Sequence, residues 1–215
     1  MHPTTTRLAV ACTAALALAM TSAALAGTTH YSGAFAQDDD LFVQSFTLTS
    51  ESQVRGVTTS FAQGAFAPVL TVFGPGGLLV QEVGSAHVCG AGSGAADAAT
   101  GFCWDALFDT VLSGGVYTLV LSQDGNVALG GSLADGFTHD GQPDYTGVAY
   151  LGLPGAKFIN VDGRERSSLW ALDLSIDPTH LPEPASLGLM AAALALSLVG
   201  HRKAPRASTG PGQAT

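Results

Sequence analysis

The stretch SLWALDLSI, Ser168 to Ile176, decides how the rest of the chain is read. Trp170, Leu172, Leu174 and Ile176 alternate with Ala171, Asp173 and Ser175. A period of two puts the four large apolar residues on one face of an extended strand, with one side buried. The same period recurs upstream. In LFVQSFTLTS, residues 41–50, Phe42, Phe46 and Leu48 share a side. In GVYTLVLSQDG, residues 115–125, Tyr117, Leu119 and Leu121 share one face, and Val116, Thr118 and Val120 the other. A strand apolar on both faces is expected at the centre of a sheet. APVLTVFGPGGLLVQEV, residues 67–83, places two apolar runs around Gly74-Pro75-Gly76-Gly77. That predicts a hairpin, with glycine supplying the positive φ of its turn.

No ten-residue stretch of the body carries a 3.6-residue stripe. Short strands separated by Gly, Pro and Asp turns predict an all-β fold, an antiparallel β-sandwich of jelly-roll type. The pattern weakens from Gly130 to Asn160. Long loops are expected there, with strands near Thr146–Tyr150 and Lys157–Val161. The chain has no internal repeat.

Both ends are hydrophobic and read differently from the body. MHPTTTRLAVACTAALALAMTSAALAG opens with Arg7, continues with an uncharged run from Leu8 to Met20, and reaches Ala24-Leu25-Ala26. Positive start, apolar run and small-x-small site, in that order, make a signal helix cleaved between Ala26 and Gly27. At the other end, Ala185 to Val199 is uncharged and apolar, fifteen residues against the roughly 20 of a comfortable membrane span. Arg202, Lys203 and Arg206 follow it directly. Bases crowded at one end keep that end cytoplasmic, so the tail reads as a transmembrane helix that stops transfer. The expected organisation is a signal peptide at 1–26, a sandwich domain at 27–180, a tail signal at 181–206 and a polar end at 207–215.

The whole chain carries −9, and without Arg7 and the net +2 of the tail the body carries −12. Its only bases are Arg55, Lys157, Arg164 and Arg166. Such a body repels phosphate backbones, which argues against a nucleic-acid partner and leaves divalent cations open. Export also changes the reading of Cys89 and Cys103. An even pair outside the cytoplasm is expected to form a disulfide, here closing CGAGSGAADAATGFC. Loop-closure entropy for this length is worth about 3 kcal/mol.

Few residues invite chemistry. Asp38 and Asp40 of QDDDLF lie on the same side of an extended chain and could offer oxygens to Ca²⁺. No DxDxDG spacing follows, and a solvated turn before a strand is the plainer expectation. DGFTHDGQPDYTG brings Asp135, His139, Asp140, Asp144 and Tyr145 into one loop. Catalysis needs a nucleophile beside a base, or two opposed carboxylates, and this loop offers neither. Calcium or sugar binding is the alternative there. Nucleophile-elbow, Walker, dinucleotide and HExxH patterns are absent from the sequence. No enzyme and no obligatory cofactor are expected.

The tail LPEPASLGLMAAALALSLVGHRK resembles the PEP-CTERM sorting signal: Pro182-Glu183-Pro184, an apolar helix, then bases. The polar end APRASTGPGQAT is longer than that pattern usually shows. The resemblance implies a Gram-negative, exopolysaccharide-producing source and an exosortase-type membrane protease that removes the tail. YSGAFAQDDDLFVQSFTL, FAPVLTVFGPGGLLV, LSGGVYTLVLSQDGN, DGFTHDGQPDYTG and NVDGRERSSLWALDL resemble a family of PEP-CTERM proteins of unassigned activity. The first three also resemble, more loosely, the bacterial pre-peptidase C-terminal β-sandwich. Together these imply an exported surface or matrix protein with a structural or adhesive role, or else a carbohydrate- or calcium-binding module.

Overall fold

A computed structural model describes residues 27–84, 89–90, 96–98 and 100–179. The expected signal helix with Ala26, the Pro182-Glu183-Pro184 motif, the membrane helix, the bases beyond it and the polar end lie outside those residues. Among the described residues, no helix is long and apolar enough to cross a membrane.

Among the described residues, eight strands form two four-stranded antiparallel sheets: β1 Gly27–Ala34, β2 Phe42–Leu48, β3 Ser52–Thr58, β4 Pro68–Phe73, β5 Leu79–Val83, β6 Leu107–Leu112, β7 Gly115–Gln123 and β8 Leu169–Pro178. One sheet runs β1-β8-β3-β6 and the other β2-β7-β4-β5. The chain changes sheet at every connection except the β4–β5 hairpin. The fold is an all-β sandwich, as the period of two requires.

β8, which carries the Trp170–Ile176 alternation, lies between β1 and β3. Trp170, Leu172 and Leu174 are buried, and Ile176 packs partly buried against them. Their facing layer is Leu70, Val72, Leu119 and Leu121 of the second sheet. Phe42 of β2 meets the Trp170 indole at 4.5 Å between ring centroids, which ties the sheets together at one corner. β7 sits between β2 and β4, and its outward Val120 is as buried as its inward residues. Phe73 and Phe137 cover that outer side, with Leu133 and Ala128 beside them, so the chain after β7 folds back over its own sheet. At the β4–β5 turn, Gly76 and Gly77 take φ of 79° and 76°, values that any side chain would make costly.

Two expectations for residues 130–160 are corrected. Thr146–Tyr150 lies in a helix, α1 Tyr145–Leu151, not a strand. The Thr146 backbone N–H and hydroxyl both donate to the buried Asp38 carboxylate, and this tertiary contact seats the first turn. Lys157–Val161 forms no strand either, and Ile159 makes only an isolated bridge to Glu165. Phe158 turns inward at φ 55° onto Phe66, 5.8 Å between centroids, and breaks any extended run.

Candidate functional site

The acidic residues singled out in the sequence hold the fold's turns. Asp38 is fully buried, which corrects the solvated-turn expectation. One of its oxygens accepts from the Thr146 N–H (2.9 Å) and hydroxyl (2.5 Å), the other from the Phe158 N–H (2.7 Å). The Asp40 carboxylate turns the other way, accepting from the Ala36 and Gln37 N–H groups at 2.6 and 2.9 Å. The two side chains therefore serve different partners. Among the described residues, no group of three or more His, Cys, Asp or Glu is arranged to hold a metal.

The 135–145 loop behaves similarly. Asp135 closes a capping box with Ser132. Asp140 accepts from the Phe137 N–H at 2.9 Å, and Asp144 from the Gly155 N–H. His139 stacks flat on Tyr145 at 3.8 Å and bonds Gln142. The Tyr145 hydroxyl donates to the Asp124 carbonyl at 2.6 Å. Burial, then the nearby charges of Asp38 and Asp124, push the Tyr145 phenol well above its ordinary value.

A different set of side chains surrounds an open cleft. Its base is Phe61, on the single turn Phe61–Gln63 after β3. One oxygen of the buried Asp105 accepts from the Thr58 hydroxyl and from the Ser60 and Phe61 N–H groups, at 3.0–3.1 Å, and fixes that turn. Trp104 stacks on Phe61 at 5.5 Å from one side. The Arg166 guanidinium lies 3.9 Å over the same ring. Its Nε donates to the Ala65 carbonyl and its Nη2 to the Phe61 carbonyl. Burial lowers the Arg166 guanidinium from its ordinary value, opposed by Asp162 and Asp97.

The cleft's walls come from two loops. In one, the Trp104 indole N–H donates to the Thr100 hydroxyl at 3.0 Å, and that hydroxyl donates to Asp97 at 2.8 Å. The Cys89–Cys103 disulfide anchors this wall, with Cα atoms 5.1 Å apart and Cys103 fully buried. The neighbouring Phe102 stands 44% exposed. The other wall is the turn Asn160–Arg164, closed by the Gly163 N–H on the Asn160 carbonyl. It presents Asp162 and Arg164, a solvent-facing pair 3.6 Å apart. The cleft encloses about 390 Å³, and a smaller hollow of about 210 Å³ shares Phe61, Asp97 and Arg166 with it.

A larger groove of about 450 Å³ lies along β1 and β8, between Ser32, Thr59, Gln63 and Leu169, and no charged side chain lines it. The cleft mixes aromatic, donor and acceptor groups, as does a hollow of about 370 Å³ beside His139, Gln142, Asp144 and Tyr145. Sequence reading missed the cleft because its residues are spread from 61 to 166. One signal was present: Arg164 and Arg166, two of the body's four bases, lie two residues apart in an acidic chain.

No protein-family model matches the chain, and no curated protein matches it.

Proposed function

We propose that this is an exported surface or extracellular-matrix protein with a structural or adhesive role in association with exopolysaccharide. Its body is a jelly roll, a reading supported by eight strands in the orders 1-8-3-6 and 2-7-4-5. The observation that carries the export reading is the Cys89–Cys103 bridge, because disulfides persist in oxidising compartments and are rare in the cytosol. The acidic body and the Pro182-Glu183-Pro184 tail agree with it. On this reading the tail holds the chain at the inner membrane until an exosortase-type protease removes it.

Fractionation of a Gram-negative host that carries an exosortase tests this. Wild-type chain should be trimmed and recovered from the surface or matrix. Replacing Pro182, Glu183 and Pro184 by alanine should leave export intact and strand a heavier chain in the inner membrane. Normal trimming of the triple variant, or a wild-type chain held in the cytoplasm, would overturn the reading. A second reading, a carbohydrate-binding module, is favoured by one feature, the exposed Phe102 ring beside paired acidic and basic side chains.

A further inference from the structure

We propose that the cleft over Phe61 binds a neutral oligosaccharide, with Phe102 as the stacking ring and Arg164, Asp162 and Asn160 as its polar partners. This deepens the surface-protein reading above and rests on it. Every sugar hydroxyl both donates and accepts, so a sugar site needs donors and acceptors side by side. The cleft provides them at its rim: the exposed Arg164 can only donate, the exposed Asp162 only accept, and the Asn160 amide does both, while Arg166 and Asp97 are engaged with Phe61, Ala65 and Thr100 and shape the floor. A sugar ring also has an apolar C–H face, which suits an exposed aromatic ring, and Phe102 is 44% exposed at the rim. Small-molecule sites pair such apolar surface with a few placed polar groups in about 300–1,000 Å³. A cavity of about 390 Å³ falls in that range.

Charge selects among sugars. Two arginines face two aspartates here, so the cleft is balanced, while the body carries −12. The body's other bases lie elsewhere, with Arg55 beside Asp109 and Lys157 on the Ala36 carbonyl. A uronic-acid chain would meet no net positive charge in the cleft and would be repelled by the acidic surface around it. A neutral chain has no such cost. The cleft is also built in advance. Phe61 is held by Asp105, Trp104 by Thr100 and the Phe102 wall by the disulfide, so little ordering remains to oppose binding.

The test uses the purified full-length chain on an array of neutral and uronic-acid oligosaccharides, followed by titration of the captured neutral compound. Saturable capture of at least one neutral oligosaccharide is expected, with a change in tryptophan emission because Trp104 lies under the cleft. Phe102→Ala and Arg164→Ala should each weaken binding about tenfold, the scale of a contact residue, without moving the melting temperature. Leu169→Ala, in the other groove, should leave affinity unchanged, and reduction of Cys89–Cys103 should weaken it. Failure to capture any neutral glycan, capture of uronic-acid chains alone, or affinity indifferent to Phe102→Ala would overturn the proposal. A chain that is exported and trimmed but binds no neutral glycan fails this inference alone. One that binds but stays in the cytoplasm fails only the export reading.

Discussion

The knot around Asp38 and the cleft over Phe61 use similar side chains to opposite ends. In the knot, a carboxylate enters the interior and both its oxygens meet backbone or hydroxyl donors. In the cleft, Asp162 and Arg164 stay in solvent on a tight turn, and the buried carboxylate, Asp105, works beneath the surface. The difference teaches that a run of acidic residues is no guide to a site. A carboxylate with its acceptor sites filled by main-chain N–H groups is a structural brace, because vacating it would strand buried donors at about 1–3 kcal/mol each. At the cavity rim Asp162 accepts a single main-chain N–H, from Arg164, and faces the Arg164 guanidinium with its other oxygen, but that pair stays in solvent, where water or a ligand can still reach it.

The comparison breaks first at Asp38. Asp38→Ala leaves the Thr146 N–H, the Thr146 hydroxyl and the Phe158 N–H without their acceptor, and should destabilise by about 4 kcal/mol. Urea unfolding measures this directly. A loss below about 1 kcal/mol would mean that the knot does not brace α1.

The cleft's own brace comes next. Cys89→Ser removes a fourteen-residue loop closure and should cost about 2–4 kcal/mol. Thiol counting on unfolded, unreduced protein should find neither Cys89 nor Cys103 free. Two free thiols there would dissolve the argument that the Phe102 wall is covalently held.

Tyr145 sharpens the contrast through pH. Its phenol is raised by burial first and by Asp38 and Asp124 after that. Above about pH 10, where an ordinary phenol ionises, the unfolded chain releases this proton and the folded chain keeps it. The contribution is therefore complete below about pH 10 and declines as pH rises toward the folded value. Between about pH 9 and 11, wild-type melting temperature should fall more steeply than that of Tyr145→Phe. Parallel slopes would show that the tyrosine is not confined by the knot.

The smallest effect belongs to the rim. Phe102→Ala should change unfolding free energy by no more than about 0.5 kcal/mol, as an exposed substitution away from caps and cores does. A larger loss would make Phe102 a packing residue and deprive the cleft of its free ring.

What the sequence determined by itself was the period-two architecture. The inward faces of β2, β7 and β8 and the β4–β5 hairpin followed from side-chain alternation and turn glycines, because strand geometry is local. The pairing of Cys89 with Cys103 followed from their being the body's only two cysteines. β3 was hidden, since its inward positions are Ser52, Val54, Gly56 and Thr58, too polar and small to print an apolar stripe. Gly56 is there because a Cβ would come 2.2 Å from the Phe108 ring across the pair, a contact known only once β6 is alongside. Tertiary structure alone decided the rest. α1 is too short for a helical stripe, and its first turn rests on a carboxylate 108 residues away. The cleft likewise draws Phe61, Phe102, Trp104 and Arg166 from three separate connections. Their meeting depends on sandwich closure, and closure is set by long-range burial that no short window of sequence contains.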